Sequence, residues 1–351
     1  MPHRTEEATA GTDLSGGPSL LLAMGPGVAE RLFTDAHRAR LTAVTRTDPY
    51  LVAHDLADPP SAVAAALADA ELLLTCWGVT PLDERVLDSA PRLRAVVHAA
   101  GSVKHHITRA CWDRGLLVAS AAAANAQPVA EYTLAAILFA NKRVLHSAHR
   151  YRELRAAHDW RPELDGAGNL GRTVGVVGAS RIGRRVIELL RPFDLRVLLY
   201  DPYADADEAA RLGAEAVSLD DLCLRSDIVT VHAPEIPATR HMIDARRLSL
   251  MPDGATLINT ARGSLVDTDA LLPDLLSGRL SAVLDVTAPE VPPAGSPLYD
   301  LPNVLLTPHV AGSLGRELYR MADLALDEVE RYALGRPFAE PVVPAALDRS
   351  A

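Results

Sequence analysis

Apolar positions in this chain fall into short runs that alternate with segments of helical period. Ser19-Leu20-Leu21-Leu22-Ala23-Met24, Glu71-Leu72-Leu73-Leu74-Thr75-Cys76, residues 93–98 and residues 115–119 are too short for helices and read as buried strands. Residues 41–45 read as a further strand of the same group. Between them, residues 28–37, 60–68, 81–89 and 107–114 carry apolar residues three and four apart and read as helices. Strands that alternate with helices imply a parallel sheet covered on both faces, here a first domain of flavodoxin-like character. Residues 128–151 predict one long helix, with Pro128 in its first turn. A polar, Gly-rich stretch at 160–171 then separates two sets of strands.

The second set predicts strands at Thr173–Val177, Arg196–Tyr200, 228–232, Thr256–Asn259, 282–285 and Val304–Leu306, with helices between them. Six such units make a complete doubly wound domain of Rossmann type. An amphipathic helix at 317–334 follows and is expected to return to the first domain. The fold class is therefore α/β with two doubly wound domains, a flavodoxin-like one and an inserted Rossmann one. The first is discontinuous, 18–140 plus 313–351. The second spans 141–312, and 1–17 reads as a disordered leader.

Within the second domain, Thr173 to Val177 runs into Gly178-Ala179-Ser180-Arg181-Ile182-Gly183 and then a helical pattern. Strand, tight turn and helix point a helix N-terminus at an anion. The loop nearly spells the dinucleotide fingerprint, with Ser180 at the second glycine. Asp201 closes the next strand, where such a fold meets the adenine ribose hydroxyls. Its carboxylate would accept from the ribose diol and repel a 2′-phosphate, and Pro202-Tyr203 offers no arginine for one. NAD is the expected cofactor.

Three further segments begin at carboxyl ends of strands in this domain: Asn259-Thr260-Ala261-Arg262-Gly263, Asp285 through Glu290, and Thr307-Pro308-His309-Val310-Ala311-Gly312. Together they supply an Arg, a Glu and a His. That set suits reversible hydride transfer at a small 2-oxo or 2-hydroxy acid. A guanidinium binds a carboxylate through two oxygens and polarises the carbonyl. An imidazole exchanges a proton near neutrality. A carboxylate behind the ring orients it and favours the imidazolium. Taken singly, Arg-Gly and Pro-His are ordinary loop pairs, and Asp285 could simply cap a helix. Trp77 reads equally as a substrate contact or as packing. His105 and His106 read as solvated, and no metal site is expected.

Composition narrows the partners. No apolar run approaches the roughly 18 residues of a membrane span. A net charge of −10 with no basic block argues against nucleic acid. Cys76, Cys111 and Cys223 are odd in number and set in apolar sequence, as small core residues of a reducing, cytoplasmic compartment.

These motifs resemble the D-isomer-specific 2-hydroxyacid dehydrogenase family over about residues 72–335. The most specific carriers are Asn259-Thr260-Ala261-Arg262-Gly263 with Val266-Asp267, the spacing of Asp285 and Glu290, and Thr307-Pro308-His309. The resemblance implies that Arg262, Glu290 and His309 are catalytic. It implies that Gly178, Ser180, Arg181, Ile182, Gly183, Asp201, His232, Ala233, Pro234, Thr260, Ala261, Asp285 and Gly312 line the cofactor, with Asp285 facing the nicotinamide amide. Gly101, Ser102 and Val103 fall where backbone amides hold the substrate carboxylate. A homodimer and D stereochemistry are also implied. Ser180, Thr287 and Lys104-His105-His106 depart from the family pattern. Oxidation of formate or phosphite on the same fold, or a non-catalytic NAD(H) sensor, are the competing readings.

Overall fold

The computed structural model describes residues 16–347, so the leader expected at 1–17 lies outside the described residues except for Gly16 and Gly17. Two compact units emerge, one of residues 16–121 with 318–343, the other of 122–317 with 344–347.

The first unit is built on five parallel strands, β1 (Leu20–Ala23), β2 (Val52–Ala53), β3 (Leu72–Thr75), β4 (Ala95–His98) and β5 (Leu117–Ser120), in the order β2-β1-β3-β4-β5. That is the flavodoxin order. Every residue of β1, β3 and β4 is buried, which is why these segments read as unbroken apolar runs. The segment expected as a strand at 41–45 is instead the end of a helix, Asp35–Val44. Thr34 stops the preceding helix and caps this one, accepting a hydrogen bond from the His37 amide at 3.3 Å. His37, Arg38 and Leu41 then face inward at helical spacing, while the β-branched Thr42 faces out. The strand role passes to Val52 and Ala53, paired with Leu22 and Ala23.

The C-terminal helix Leu318–Ala333 packs on Asp35–Val44 within this unit. Arg40 reaches Asp323, Asp327 and Glu330 at 3.1, 2.7 and 2.9 Å, and His37 meets Asp323 at 3.2 Å.

The second unit holds seven parallel strands: β6 (Thr173–Val177), β7 (Arg196–Tyr200), β8 (Glu215–Ala216), β9 (Ile228–Val231), β10 (Thr256–Asn259), β11 (Ser281–Leu284) and β12 (Val304–Leu306). Their order, β12-β11-β10-β9-β6-β7-β8, is the doubly wound arrangement with β12 added at one edge. The direction of winding reverses between β6 and β9, which makes a switch point there. The expected six strands omit β8, whose two exposed residues carry no apolar signal.

The long helix is two helices, Ala122–Asn141 and Val144–Leu154. It begins before Pro128, which sits inside it. The break comes where the Asn141 carbonyl accepts from the Gly168 amide at 2.8 Å and Arg143 turns left-handed at φ 50°. Ala130, Ala136 and Ile137 join the core beneath the second sheet, so the boundary between units falls at 121/122, not 140/141.

At the end of β4 in the first unit, His98 and His106 stack with ring centroids 4.3 Å apart, bridged by the Thr75 hydroxyl. Both are 2% exposed. His106 is therefore a core residue and only its neighbour His105 faces solvent, which corrects the solvated reading of the pair. Burial, with His105 nearby, pulls His106 down from its ordinary 6.5 to about 4, and burial holds His98 well below its ordinary value. Between those two values the unfolded chain binds a proton that the folded chain does not, so stability falls as the pH drops through that window. For His106 the full effect is roughly 3 kcal/mol, at about 1.4 kcal/mol per unit. Urea midpoints should fall steadily from pH 7 to pH 4.5, and His106→Asn should flatten that dependence; an unchanged slope would remove His106 from the account.

Candidate functional site

Strand β6 delivers Gly178 at φ +102°, a conformation that favours glycine. A Cβ there would lie 2.7 Å from the Ala233 nitrogen, so the loop lies against the end of β9. A Cβ on Gly183 would stand 2.0 Å from the Gly178 carbonyl oxygen. Both glycines are required by close approach. Ser180 is different. Its backbone is extended, at φ −64° and ψ 174°, which any residue adopts, and its hydroxyl caps the helix Arg181–Leu190 by accepting from the Gly183 amide at 3.3 Å. The serine in place of the second glycine thus strengthens the helix start. Arg181 and Ile182 open that helix, whose first amides have no acceptor within it.

Asp201 closes β7 and reaches back: its Oδ2 accepts from the Ala179 amide at 2.6 Å and its Oδ1 from the Tyr203 amide at 2.8 Å. The acid at the end of β7 therefore braces the glycine loop. His232 is buried, its Nε2 2.9 Å from the Thr230 hydroxyl, and burial pushes it down to about 3, so the ring is neutral. Its contribution to the rim is backbone, with Ala233 buried under Gly178 and Pro234 half-buried beside it.

Arg262, Glu290 and His309 follow β10, β11 and β12, three neighbours in one sheet, all at carboxyl ends. Asn259 shapes the first loop, its side chain accepting from the Ala261 amide at 3.1 Å and donating to the Arg262 carbonyl at 2.9 Å. Arg262 Nη1 donates to the Ala261 carbonyl at 2.6 Å. Gly263 then lies flush on the next loop, for a Cβ there would fall 2.0 Å from the Thr287 carbonyl carbon. The Thr287 hydroxyl in turn donates to the Pro289 and Glu290 carbonyls at 2.7 and 3.0 Å, fixing the turn that presents Glu290. His309 Nδ1 meets Glu290 Oε1 at 2.6 Å, with the two side chains 51% and 58% exposed. The ring's Nε2 is left for another partner.

Asp285 is 1% exposed, and its carboxylate accepts from the Thr307 hydroxyl at 2.6 Å and from the Val310 and Ala311 amides at 2.8 and 2.9 Å. It anchors the loop that carries His309. Thr260 is buried against the Thr133 hydroxyl at 3.1 Å, and Ala261 is buried beside it. Gly312 lies next to Asn125, whose Oδ1 accepts from the Ser313 amide at 2.9 Å.

Trp77, Gly101, Ser102 and Val103 belong to the first unit, after β3 and β4, also at carboxyl ends. Trp77 is 44% exposed; Gly101 and Ser102 are half-buried and the Val103 side chain is in the core. The bracing roles of Asn259 and Asn125 do not follow from the sequence pattern. A lone asparagine in an apolar strand or an alanine-rich helix is the only trace that they leave there.

Residues 134–311 match the family described as D-isomer specific 2-hydroxyacid dehydrogenase, NAD binding domain. The chain belongs to this family. It is 37% identical over 281 residues to D-3-phosphoglycerate dehydrogenase of Mycobacterium tuberculosis, an alignment covering 80% of this chain and 52% of that protein. The chain thus spans about half the length of such curated relatives. Glyoxylate reductase of Aeropyrum pernix is 35% identical over 260 residues, 73% of this chain and 78% of that one. Among solved structures, TT0316 protein from Thermus thermophilus is 31% identical with a TM-score of 0.74, covering 92% of this chain and all of that one. D-lactate dehydrogenase from Aquifex aeolicus, complexed with NAD and lactic acid, is 29% identical with a TM-score of 0.70 over 90% and 96% of the two chains. None of the helices among the described residues is long and apolar enough to cross a membrane.

The NAD-binding domain depends on the 2.0 Å approach at Gly183. Gly183→Ala should raise the Kd for NADH by tenfold or more, a loss of about 1.4 kcal/mol, read by fluorescence titration. Unchanged affinity would show that the loop relaxes around a methyl group.

Proposed function

We propose that this protein interconverts a small 2-oxo acid and its D-2-hydroxy acid with NAD as cofactor. The carrying observation is that Arg262, Glu290 and His309 follow three neighbouring strands of the NAD-binding sheet, with His309 already paired to Glu290 at 2.6 Å. The cofactor suits the residues present: Gly178 and Gly183 allow the tight turn, the helix after Ser180 offers its first amides to a pyrophosphate, and the half-buried Asp201 carboxylate keeps acceptor capacity. Bound NAD would supply or accept the hydride.

In the direction of reduction, Arg262 holds the substrate carboxylate and draws charge onto the carbonyl oxygen. His309 gives the proton on Nε2 to that oxygen while the carbonyl carbon gains hydride, so a C–H and an O–H bond form and the C=O π bond is lost. Glu290 keeps the ring oriented through Nδ1. In oxidation the same nitrogen takes the hydroxyl proton. Gly101, Ser102 and Val103, after β4 of the first unit, are assigned to substrate binding, as is the exposed Trp77 after β3.

We assign a homodimer to the second unit. The helix Val144–Leu154 has no buried residue and leaves Tyr151 61% exposed, while Phe139 and Leu170, before and after it in the chain, are 55% and 83% exposed. A cytoplasmic location fits the three buried free thiols.

Two measurements test the chemistry. NADH absorbance followed against glyoxylate, hydroxypyruvate, pyruvate and bulkier 2-oxo acids should show turnover with at least one. Arg262→Ala should cut kcat/KM for that acid by roughly 10²-fold or more, as expected for a contact to developing charge. Binding of NADH without turnover on any acid would favour a sensor instead. The Asp201 carboxylate further predicts that NADH is used more efficiently than NADPH, since like charge opposes a 2′-phosphate. Equal efficiency would discard that role for Asp201.

A further inference from the structure

The backbone of His309 is left-handed at φ 55°, a conformation that costs a non-glycine residue free energy unless its surroundings hold it. Two bonds from its own amide help, to the Asp285 carbonyl at 2.9 Å and the Thr307 carbonyl at 3.0 Å. The rest comes from the Asp285 side chain, which grips the Val310 and Ala311 amides immediately downstream. His309 is thus held from both sides by two residues, Asp285 and Thr307.

Those two are linked to a third. The Thr307 hydroxyl donates to Asp285 Oδ1 at 2.6 Å, and the Tyr132 hydroxyl lies 2.8 Å from the same threonine oxygen. A threonine hydroxyl has one hydrogen, and a carboxylate is only an acceptor, so that hydrogen goes to Asp285. Tyr132 must then be the donor to Thr307. Burial pushes the Tyr132 phenol above its ordinary range, which keeps it protonated and able to donate. The tyrosine projects from the helix Ala122–Asn141, whose neighbouring Thr133 bonds Thr260 at 3.1 Å, one residue from Ala261 and two from Arg262. One turn of this helix therefore supports the loops of both His309 and Arg262.

We propose that Tyr132 is a positioning residue for His309, acting through the directed chain Tyr132 to Thr307 to Asp285, a role that rests on the function proposed above. Loss of the Tyr132 hydroxyl leaves Thr307 without its donor and frees it to rotate away from Asp285. The grip on residues 309–311 loosens, and the His309 ring no longer meets Glu290 in one fixed geometry.

Tyr132→Phe removes one oxygen from a half-buried ring and keeps its packing. We expect NADH affinity within about twofold of wild type and kcat for 2-oxo acid reduction lowered about tenfold, the scale of one lost net hydrogen bond. The His309 ring proton, followed by NMR and assigned with His309→Gln, should change chemical shift and broaden as the ring leaves its fixed geometry against Glu290. Thr307→Val should reproduce both changes and Thr307→Ser should restore them. The NMR arm needs no substrate. If wild type reduces no 2-oxo acid, the proposed function fails while the NMR signal still decides the role of Tyr132. A Tyr132→Phe protein with the wild-type His309 ring signal, or a Thr307→Ser protein as impaired as Thr307→Val, would overturn the proposal.

Discussion

Parallel pairing is the constraint on which this molecule depends. Every strand of both sheets runs the same way as its neighbours, so every loop that leaves a carboxyl end comes out on one edge of its sheet. Gly178, Asp201, His232, Arg262, Asp285 and His309 are scattered over more than a third of the chain, yet all leave β6, β7 and β9 to β12 on the same edge of one sheet. No long-range side-chain contact is needed to gather them. The hydrogen-bond ladder does it, and it requires strands buried on both faces with helices to cover them.

What the ladder does not fix is the shape of each loop, and here close approach decides. Gly178 against Ala233, Gly183 against the Gly178 carbonyl and Gly263 against the Thr287 peptide leave no room for a Cβ. The first and third contacts tie one loop to the next and the second folds the glycine loop on itself, so the rim behaves as a connected surface more than a row of independent turns. Buried polar groups complete the work. Asp201 braces the glycine loop and Asp285 braces the His309 loop, each by accepting backbone amides that would otherwise be unpaired. An acid at the end of a strand thus serves the fold as well as any ligand it meets.

Most of the secondary structure is legible because its signals are local. Apolar runs mark β1, β3, β4 and the strands of the second sheet other than β8 to within a residue or two. The segments that mislead share a cause. Residues 41–45 are β-branched enough to read as a strand, yet the Thr34 cap and the inward spacing of His37, Arg38 and Leu41 make them helical. The helix from Ala122 begins in an alanine run without a marked start, and its end is imposed by Gly168, a distant partner. His106, next to the exposed His105, reads as solvated because adjacency in sequence says nothing of which side a loop turns to the core.

By itself the sequence determined the two doubly wound sheets, the position of the glycine loop and the order in which Arg262, Glu290 and His309 appear, since each rests on period, spacing or residue chemistry. Only the tertiary structure decided that Ser180 is a helix cap, that the Asp285 carboxylate is spent on the Thr307 hydroxyl and two amides, and that Tyr132 stands behind Thr307. Those roles are set by hydrogen bonds between residues up to 175 positions apart. A linear pattern carries no record of such a distance until the sheet has closed it.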